Sequence, residues 1–227
     1  GYSANAGVKI FGGWSRGQNQ KSLSIFARSQ YGYSSFEYPL FPNSEVSAYE
    51  AFVLRNSGND WTSSMLRDGF ITDLADNTDI DHQLYRPAVI YLNGEYWGIQ
   101  NIREKVNEHF LSSHHDIPSE HIDLLDIQGI YTENIVHGTN IDYLNLLDYL
   151  ENNDIEDSSV QSGIEGWIDI NSFMQYQAFQ IFIDNRDWPG NNIKFWRDHR
   201  TSGKWRWILY DTDFGFGIWD PNAYTFN

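Results

Sequence analysis

The sequence predicts an α+β fold with a strand-rich first part and a more helical second part. In residues 86–99, two β-rich runs flank Asn93-Gly94, the dipeptide that a type I′ hairpin turn requires. Hydrophobic residues recur at helical spacing from Asn171 to Ile183 and predict a long helix. Two short strands, residues 193–197 and 204–210, follow that helix across a turn.

The first part begins with two predicted strands, residues 8–11 and 21–28. The loop between them, GGWSRGQNQ, is rich in glycine and small polar residues, which favour a tight, irregular backbone. Residues 49–56 alternate as a third strand. A helix is predicted from Thr62 to Leu74, with Thr62 or Ser63 as its N-terminal cap.

The second part begins with a short helix predicted from Glu104 to Leu111. Residues 112–163 are polar and acidic and are predicted to be helical in patches, with YLNLLDYLE the strongest. We therefore expect a strand-rich unit over residues 1–103 and a mostly helical unit over 104–227. The motif-rich stretch close to the last residue suggests a segment of a longer protein.

Composition excludes several classes of function. The 31 acidic and 15 basic residues give a net charge of −16, which repels nucleic acids and anionic lipid surfaces. The absence of cysteine excludes disulfides, thiolate metal sites and cysteine nucleophiles. No apolar run approaches the roughly 20 residues that span a bilayer, so no membrane span is expected. The 41% hydrophobic content is sufficient for a globular core.

The predicted hairpin of residues 193–210 brings two polar loops to the same end. Asn192 comes directly before the first strand and Asp211 directly after the second, so antiparallel pairing places them as neighbours. Asp213 follows two residues later. Carboxylate and amide oxygens in this arrangement form a hard-oxygen site for Mg²⁺, Mn²⁺ or Ca²⁺.

The spacing of these residues indicates a chemistry. Asp187 precedes Asn192 by five residues, as in protein-kinase catalytic loops, and Asp213-Phe214-Gly215 matches the kinase metal-binding triplet. The alternatives are an ordinary connecting turn for the first loop and strand termination before a glycine turn for the second. A zinc site at His114, His115 and His121 is not favoured, because their spacing matches no helical ligand pair.

The chain resembles the spore-coat protein H (CotH) kinase family over nearly its whole length. The motifs that carry the resemblance occur in the family's order: GGWSRGQNQKSLSIFAR, LRNSGNDWTSSMLRD, YRPAVIYLNGEYWGIQNIREKVNEHFL, DNRDWPGNN and GKWRWILYDTDFGFG. The resemblance implies an atypical protein-kinase-like fold, with a strand-rich N-terminal lobe and a mostly helical C-terminal lobe that carries a catalytic-loop hairpin. It implies transfer of the γ-phosphoryl group of ATP, with Mg or Mn, to Ser or Thr of a cell-surface or spore-coat protein.

The resemblance also implies roles for individual residues. Asp187 matches the catalytic aspartate, Asn192 a metal ligand, and Asp211 and Asp213 the two aspartates of a D-x-D element, of which Asp211 is preferred as the principal ligand. Further residues correspond to nucleotide-binding positions of kinases: Arg16 and Lys21 in and after the front loop, Asp68 on the helix, and Glu104 near the hinge.

The usual third-strand lysine of kinases is absent, and Arg55 stands on that strand instead. Arg16 is alternatively a solvated loop residue, and Glu104 with Lys105 alternatively starts a solvated helix. Two other functions therefore stay open: a catalytically silent exported scaffold or adhesion module, with Ca as a structural ion, and an AMP transferase on the same motif residues. In each case we expect a bacterial protein that is exported or displayed on the cell surface.

Overall fold

The computed structural model describes residues 1–129, 132–200, 203–220 and 222. Within them the strands are β1 (Gly7–Phe11), β2 (Ser22–Phe26), β3 (Phe36–Glu37), β4 (Ala48–Tyr49), β5 (Ala51–Arg55), β6 (Asp81–His82), β7 (Tyr85–Leu92), β8 (Glu95–Glu104), β9 (Ile122–Gln128), β10 (Thr132–His137), β11 (Ile193–Asp198) and β12 (Arg206–Leu209). The α-helices are α1 (Arg67–Asp73), α2 (Glu108–His115), α3 (Ile141–Glu151), α4 (Ser158–Trp167) and α5 (Ile170–Phe182). The predicted α+β class is confirmed. None of the described helices is long and apolar enough to cross a membrane.

The first sheet is antiparallel, in the order β1-β2-β5-β8-β7. It contains the three strands predicted near residues 8–11, 21–28 and 49–56. Asn93 and Gly94 join β7 to β8 with φ angles of 53° and 84°, the left-handed backbone that the type I′ turn needs. The predicted hairpin is therefore confirmed.

The second sheet has the order β10-β9-β11-β12-β6. Its first four strands pair antiparallel, whereas β6 pairs parallel with β12 through Asp81 and Ile208. Because β6 precedes β7 in the chain, the first half of the sequence supplies one edge of the second sheet. The boundary between residues 103 and 104 stays a prediction.

Alternate residues of the second sheet pack into two hydrophobic cores on its opposite faces. On one face Leu124, Trp196 and Ile208 pack against Phe110 and Leu111 of α2. On the other face Leu125, Phe195, Trp205, Trp207 and Leu209 pack with Leu146 of α3 and Tyr176 of α5. This sheet is therefore buried on both sides and forms a stable base for the loops at its strand ends.

The expectation of a mostly helical second part is corrected by β9 and β10, which lie in the stretch predicted to be helical in patches. Because β9 contains acidic residues, its sequence pattern does not identify it as a buried strand. Asp123 and Asp126 lie directly opposite Arg197 and Lys194 of β11, with ion-pair distances of 3.2 Å and 3.0 Å. Cross-strand charge pairing therefore stabilises acidic positions that the sequence pattern marks as exposed.

Two predicted helices begin later than expected. Buried Asp60 accepts hydrogen bonds from the backbone N–H groups of Ser64, Leu66 and Arg67, which keeps the preceding residues in turns, so α1 begins at Arg67 rather than Thr62. The helix predicted from Glu104 is α2, which begins at Glu108. Asn107 caps it by accepting from the Phe110 N–H at 3.0 Å.

The other helix predictions agree with the structure. The strongest helical patch corresponds to α3, and the helix predicted over 171–183 corresponds to α5, which is capped by Asp169. The turn predicted over residues 198–203 includes residues 201 and 202, which lie outside the described residues.

Candidate active site

A cleft of about 590 Å³ lies between the two sheets. Its walls come from β1 and the loop that follows it, from the segment after β5, and from the loops at the ends of β11 and β12. The four predicted catalytic and metal-binding residues all line it: Asp187, Asn192, Asp211 and Asp213. The hairpin of β11 and β12 therefore brings both acidic loops to one cavity, as its antiparallel connection requires.

The loop after α5 holds Asp187 against Asn192. The Asn192 Nδ2 donates to Asp187 Oδ2 at 2.7 Å, and the Asp187 N–H donates to Asn185 Oδ1 at 3.1 Å. Buried Asn185 is fixed in turn by Gln180 of α5, whose Oε1 accepts at 2.9 Å. Burial and the neighbouring carboxylate of Asp211 raise the pKa of Asp187.

The loop after β12 carries two unlike carboxylates. Asp213 is almost fully buried and accepts from the backbone N–H of Asn59 at 2.9 Å and from its Nδ2 at 3.1 Å. The Asp211 side chain is 27% exposed and faces the cleft. Burial and the repulsion of Asp211 raise the pKa of Asp213 to about 7, although Arg55 opposes the shift.

Arg55 of β5 connects these carboxylates to α1. Its Nη2 donates to Asp211 and, at 2.8 Å, to Asp213 Oδ2, while its Nε lies 3.3 Å from Asp68 Oδ2. Arg103 of β8 approaches the same Asp68 oxygen at 3.5 Å. Burial alone would raise the pKa of Asp68, but the two guanidinium groups and hydrogen bonds from Thr212 hold it at about 2.

The backbone at the site adopts conformations that most residues avoid. Asn192 and Asp211 both have left-handed φ angles, 53° and 54°. Asparagine and aspartate tolerate this region better than other residues that carry a Cβ, which explains why the two loops use them there. Strained backbone of this kind concentrates at functional sites.

The family model of the CotH kinase protein matches residues 8–227. The chain belongs to the CotH kinase protein family. No curated protein matches the chain. The match covers all five motifs on which the resemblance rested, so the family expectation is confirmed, and with it the kinase-like character of the CotH fold.

The front loop of this CotH chain reaches the cleft with Gly12, Gly13, Ser15 and Arg16. Lys21, by contrast, does not line the cleft. Its ammonium donates to the backbone carbonyls of Arg16 and Gln18 at 2.7 Å and 2.6 Å, so it supports the loop from behind. The expectation that Lys21 contacts phosphate is therefore corrected, because its ammonium is used on the backbone of the loop.

Glu104 also lies away from the cleft in this CotH chain. It is buried at the end of β8, where its carboxylate accepts from the Leu84 N–H at 2.9 Å and contacts His114 Nε2 at 2.7 Å. Its neighbour Lys105 lines the cleft instead. Because side chains alternate along a strand, a shift of one residue exchanges the inward and outward positions.

The histidines serve as partners of carboxylates. His114 contacts Glu104, and His115 Nε2 lies 2.8 Å from Asp81 Oδ1. Among the described residues, no three His, Cys, Asp or Glu side chains form a metal-binding group.

Sequence reasoning missed three lysines of the CotH cleft, Lys9, Lys105 and Lys194, as well as Gly58 and Asn59. A signal existed for Lys194, which is the second residue of β11 and lies two positions after Asn192. Gly58 is recognisable only in three dimensions: a Cβ on it would lie 1.9 Å from Asp213 Oδ2.

Proposed function

We propose that this CotH chain is an ATP- and metal-dependent phosphotransferase that moves the γ-phosphoryl group of ATP to Ser or Thr of a protein on the cell or spore surface. The observation that carries the proposal is the convergence of Asp187, Asn192 and Asp211 on one cleft, beneath a glycine-containing loop. Positioning and charge neutralisation supply most of the catalysis in phosphoryl transfer.

The donor set fits Mg²⁺ or Mn²⁺, which prefer carboxylate and amide oxygens. Asn192 uses its amide nitrogen on Asp187, which leaves its carbonyl oxygen for a cation. Burial and the repulsion of Asp211 raise the pKa of Asp213, and a bound cation would favour the charged forms of both carboxylates. Asn192, Asp211 and Asp213 would therefore hold the metal, which neutralises charge on the phosphates when bound.

Asp187 would orient the acceptor hydroxyl. The hydroxyl oxygen bonds to the γ-phosphorus, the bond from that phosphorus to the β–γ bridging oxygen breaks, and ADP leaves. The hydroxyl proton passes to Asp187, whose pKa is raised by burial and by Asp211. Its bond from Asn192 and the anchored Asn185 fix the carboxylate for this role.

The test uses ATP labelled at the γ- or the α-phosphate, with Mg²⁺ or Mn²⁺, on wild type, Asp187→Asn and Asp148→Asn. Asp148 is an exposed aspartate of α3 and serves as the matched control. We expect γ-label incorporation by wild type and by the control, and a loss of roughly 100-fold or more in Asp187→Asn, the range that general base catalysis contributes. Incorporation of α-label would indicate AMP transfer and overturn the proposal.

The silent scaffold remains a second candidate on one specific observation. The guanidinium of Arg55 bridges Asp211 and Asp213 and so already neutralises the carboxylates that a metal would use. Wild type that binds neither ATP nor Mn²⁺ in calorimetry, and that incorporates neither label, would favour this candidate over the phosphotransferase. We propose that the protein is exported or displayed at the surface of a bacterium under either function.

A further inference from the structure

The cleft concentrates positive charge within a strongly acidic protein. Of the 15 basic residues in a chain of net charge −16, five line this one cavity: Lys9, Arg16, Arg55, Lys105 and Lys194. Four carboxylates line the same cavity, Asp126, Asp187, Asp211 and Asp213, so only a basic side chain without a carboxylate partner is available to attract an anion.

Two of these basic side chains are already committed to carboxylates. Arg55 contacts Asp68, Asp211 and Asp213, so the residue on the strand that carries the kinase lysine is occupied. Lys194 lies 3.0 Å from Asp126 Oδ2. A phosphate chain in the cleft would therefore need another cation.

Lys105 is the cation best placed for that purpose. It follows the last residue of β8 and is half-buried, with its ammonium 5.8 Å from the ring centroid of Phe11 and 5.3 Å from that of Phe26. No carboxylate of the described residues lies within ion-pair distance of it. Burial and the like charges of Lys194 and Lys9 lower the pKa of Lys105, a cost that a bound anion would remove.

Lys105 also stands where two cavities meet. A second chamber of about 220 Å³ shares several residues with the main cleft, among them Phe11, Lys105 and Asp211. The rest of its lining combines three valines with three polar side chains: Val53, Val106, Val136, Gln83, Arg103 and Asn107. An anion beside Lys105 would therefore lie between this second chamber and the part of the cleft that contains Asp211 and Asp213.

We infer that Lys105, assisted by Lys9, binds the polyphosphate chain of a nucleotide and takes the role that Arg55 cannot fill. The identity of the ligand as a nucleotide rests on the proposed function. The anion site itself rests only on the lysines, so a polyphosphate without a nucleoside tests it separately.

The experiment is calorimetry with tripolyphosphate and with ATP, each in EDTA at low salt, on wild type, Lys105→Met, Lys105→Arg and Lys204→Met. Lys204 is an exposed lysine outside the cleft and controls for loss of one charge. We expect roughly tenfold weaker binding of both ligands to Lys105→Met, the loss that accompanies removal of one charged hydrogen bond. The arginine variant and the Lys204 control should bind within about twofold of wild type, because both keep a cation beside the anion.

Thermal unfolding of each variant shows whether it is folded. Should Lys105→Met fail to fold, Lys9→Met takes its place, because Lys9 is exposed and its loss should weaken tripolyphosphate binding several-fold. Wild type that binds no tripolyphosphate, or folded Lys105→Met that binds it as tightly as wild type, overturns the inference.

The two proposals fail in different ways. Tripolyphosphate binding that depends on Lys105, without transfer of label from ATP, would retain the anion site and reject the phosphotransferase. Transfer of label with an unchanged KM for ATP in Lys105→Met would retain the phosphotransferase and reject the anion site at Lys105.

Discussion

Arg55 on β5 and Asp68 on α1 form an ion pair, with 3.3 Å between Nε and Oδ2. The same guanidinium contacts Asp211 and Asp213 beyond the end of β12, so one side chain of the first sheet joins a helix and a loop of the second. Arg55 stands on the strand that carries the usual lysine of kinases, and the structure pairs it with Asp68 of the following helix. It also shows Arg55 in contact with the carboxylates at which we propose the metal.

Replacement of Arg55 by Met should destabilise the metal-free protein and increase its response to divalent cations. Removing one partner of a buried ion pair costs about 3–5 kcal/mol, because the remaining charges stay buried. We expect Mn²⁺ to raise the Tm of Arg55→Met by more than it raises that of wild type. Arg200→Met, which removes an exposed arginine paired with Asp198, should change the free energy of unfolding far less, because water screens exposed ion pairs. Equal Mn²⁺ shifts in Arg55→Met and wild type would contradict a metal site on Asp211 and Asp213.

Asp68 should make the protein sensitive to acid. Its pKa of about 2 in the folded state lies below the unfolded value near 3.8, so the unfolded chain binds the proton first as the pH falls. The stabilisation is fully present above pH 4 and is lost as the pH falls toward 2. Urea unfolding at pH 6 should show a large deficit in Asp68→Asn, and that deficit should shrink toward pH 2.5. A deficit that stays constant over this range would contradict the role of the Asp68 charge.

Gly58 should be essential to the position of Asp213. It has a φ of 57°, and a Cβ would meet Asp213 Oδ2 at 1.9 Å and Arg55 Nη2 at 2.9 Å. We expect Gly58→Ala to cost about 1–3 kcal/mol beyond the backbone strain, as overpacking does, and to weaken binding of metal and ATP. Gly94→Ala measures the cost of backbone strain alone, because Gly94 has a φ of 84° and no atom lies within 4 Å of a Cβ built on it. Thermal unfolding and calorimetry on both variants measure the difference, and equal losses would argue against the contact with Asp213.

The local sequence pattern predicted those parts of the fold that depend on residues close together along the chain. The hairpin around Asn93-Gly94 and the helix α5 need only turn chemistry and hydrophobic spacing. The convergence of Asn192 and Asp211 on one cleft followed from the connection of two adjacent strands.

The features that sequence reasoning missed depend on distant partners. The strand β9 was missed because Arg197 and Lys194 of β11 compensate its acidic residues from far along the chain. Glu104 was predicted at the nucleotide site instead of Lys105. Adjacent side chains at the end of β8 point to opposite sides, so an error of one residue selects the side chain that faces away from the cleft. The contact of Gly58 with Asp213 joins parts of the chain that only the complete fold brings together.

The parallel pairing of β6 with β12 has a consequence for how the protein is made. A ribosome releases Asp81 and His82 long before Ile208 and Leu209, with which they pair, so this edge of the second sheet cannot form until nearly all of the described chain has emerged. Contacts between residues so far apart in sequence also form slowly, because a long loop must close first. During synthesis, β6 therefore stays without its partner strand until residues 208 and 209 have been made.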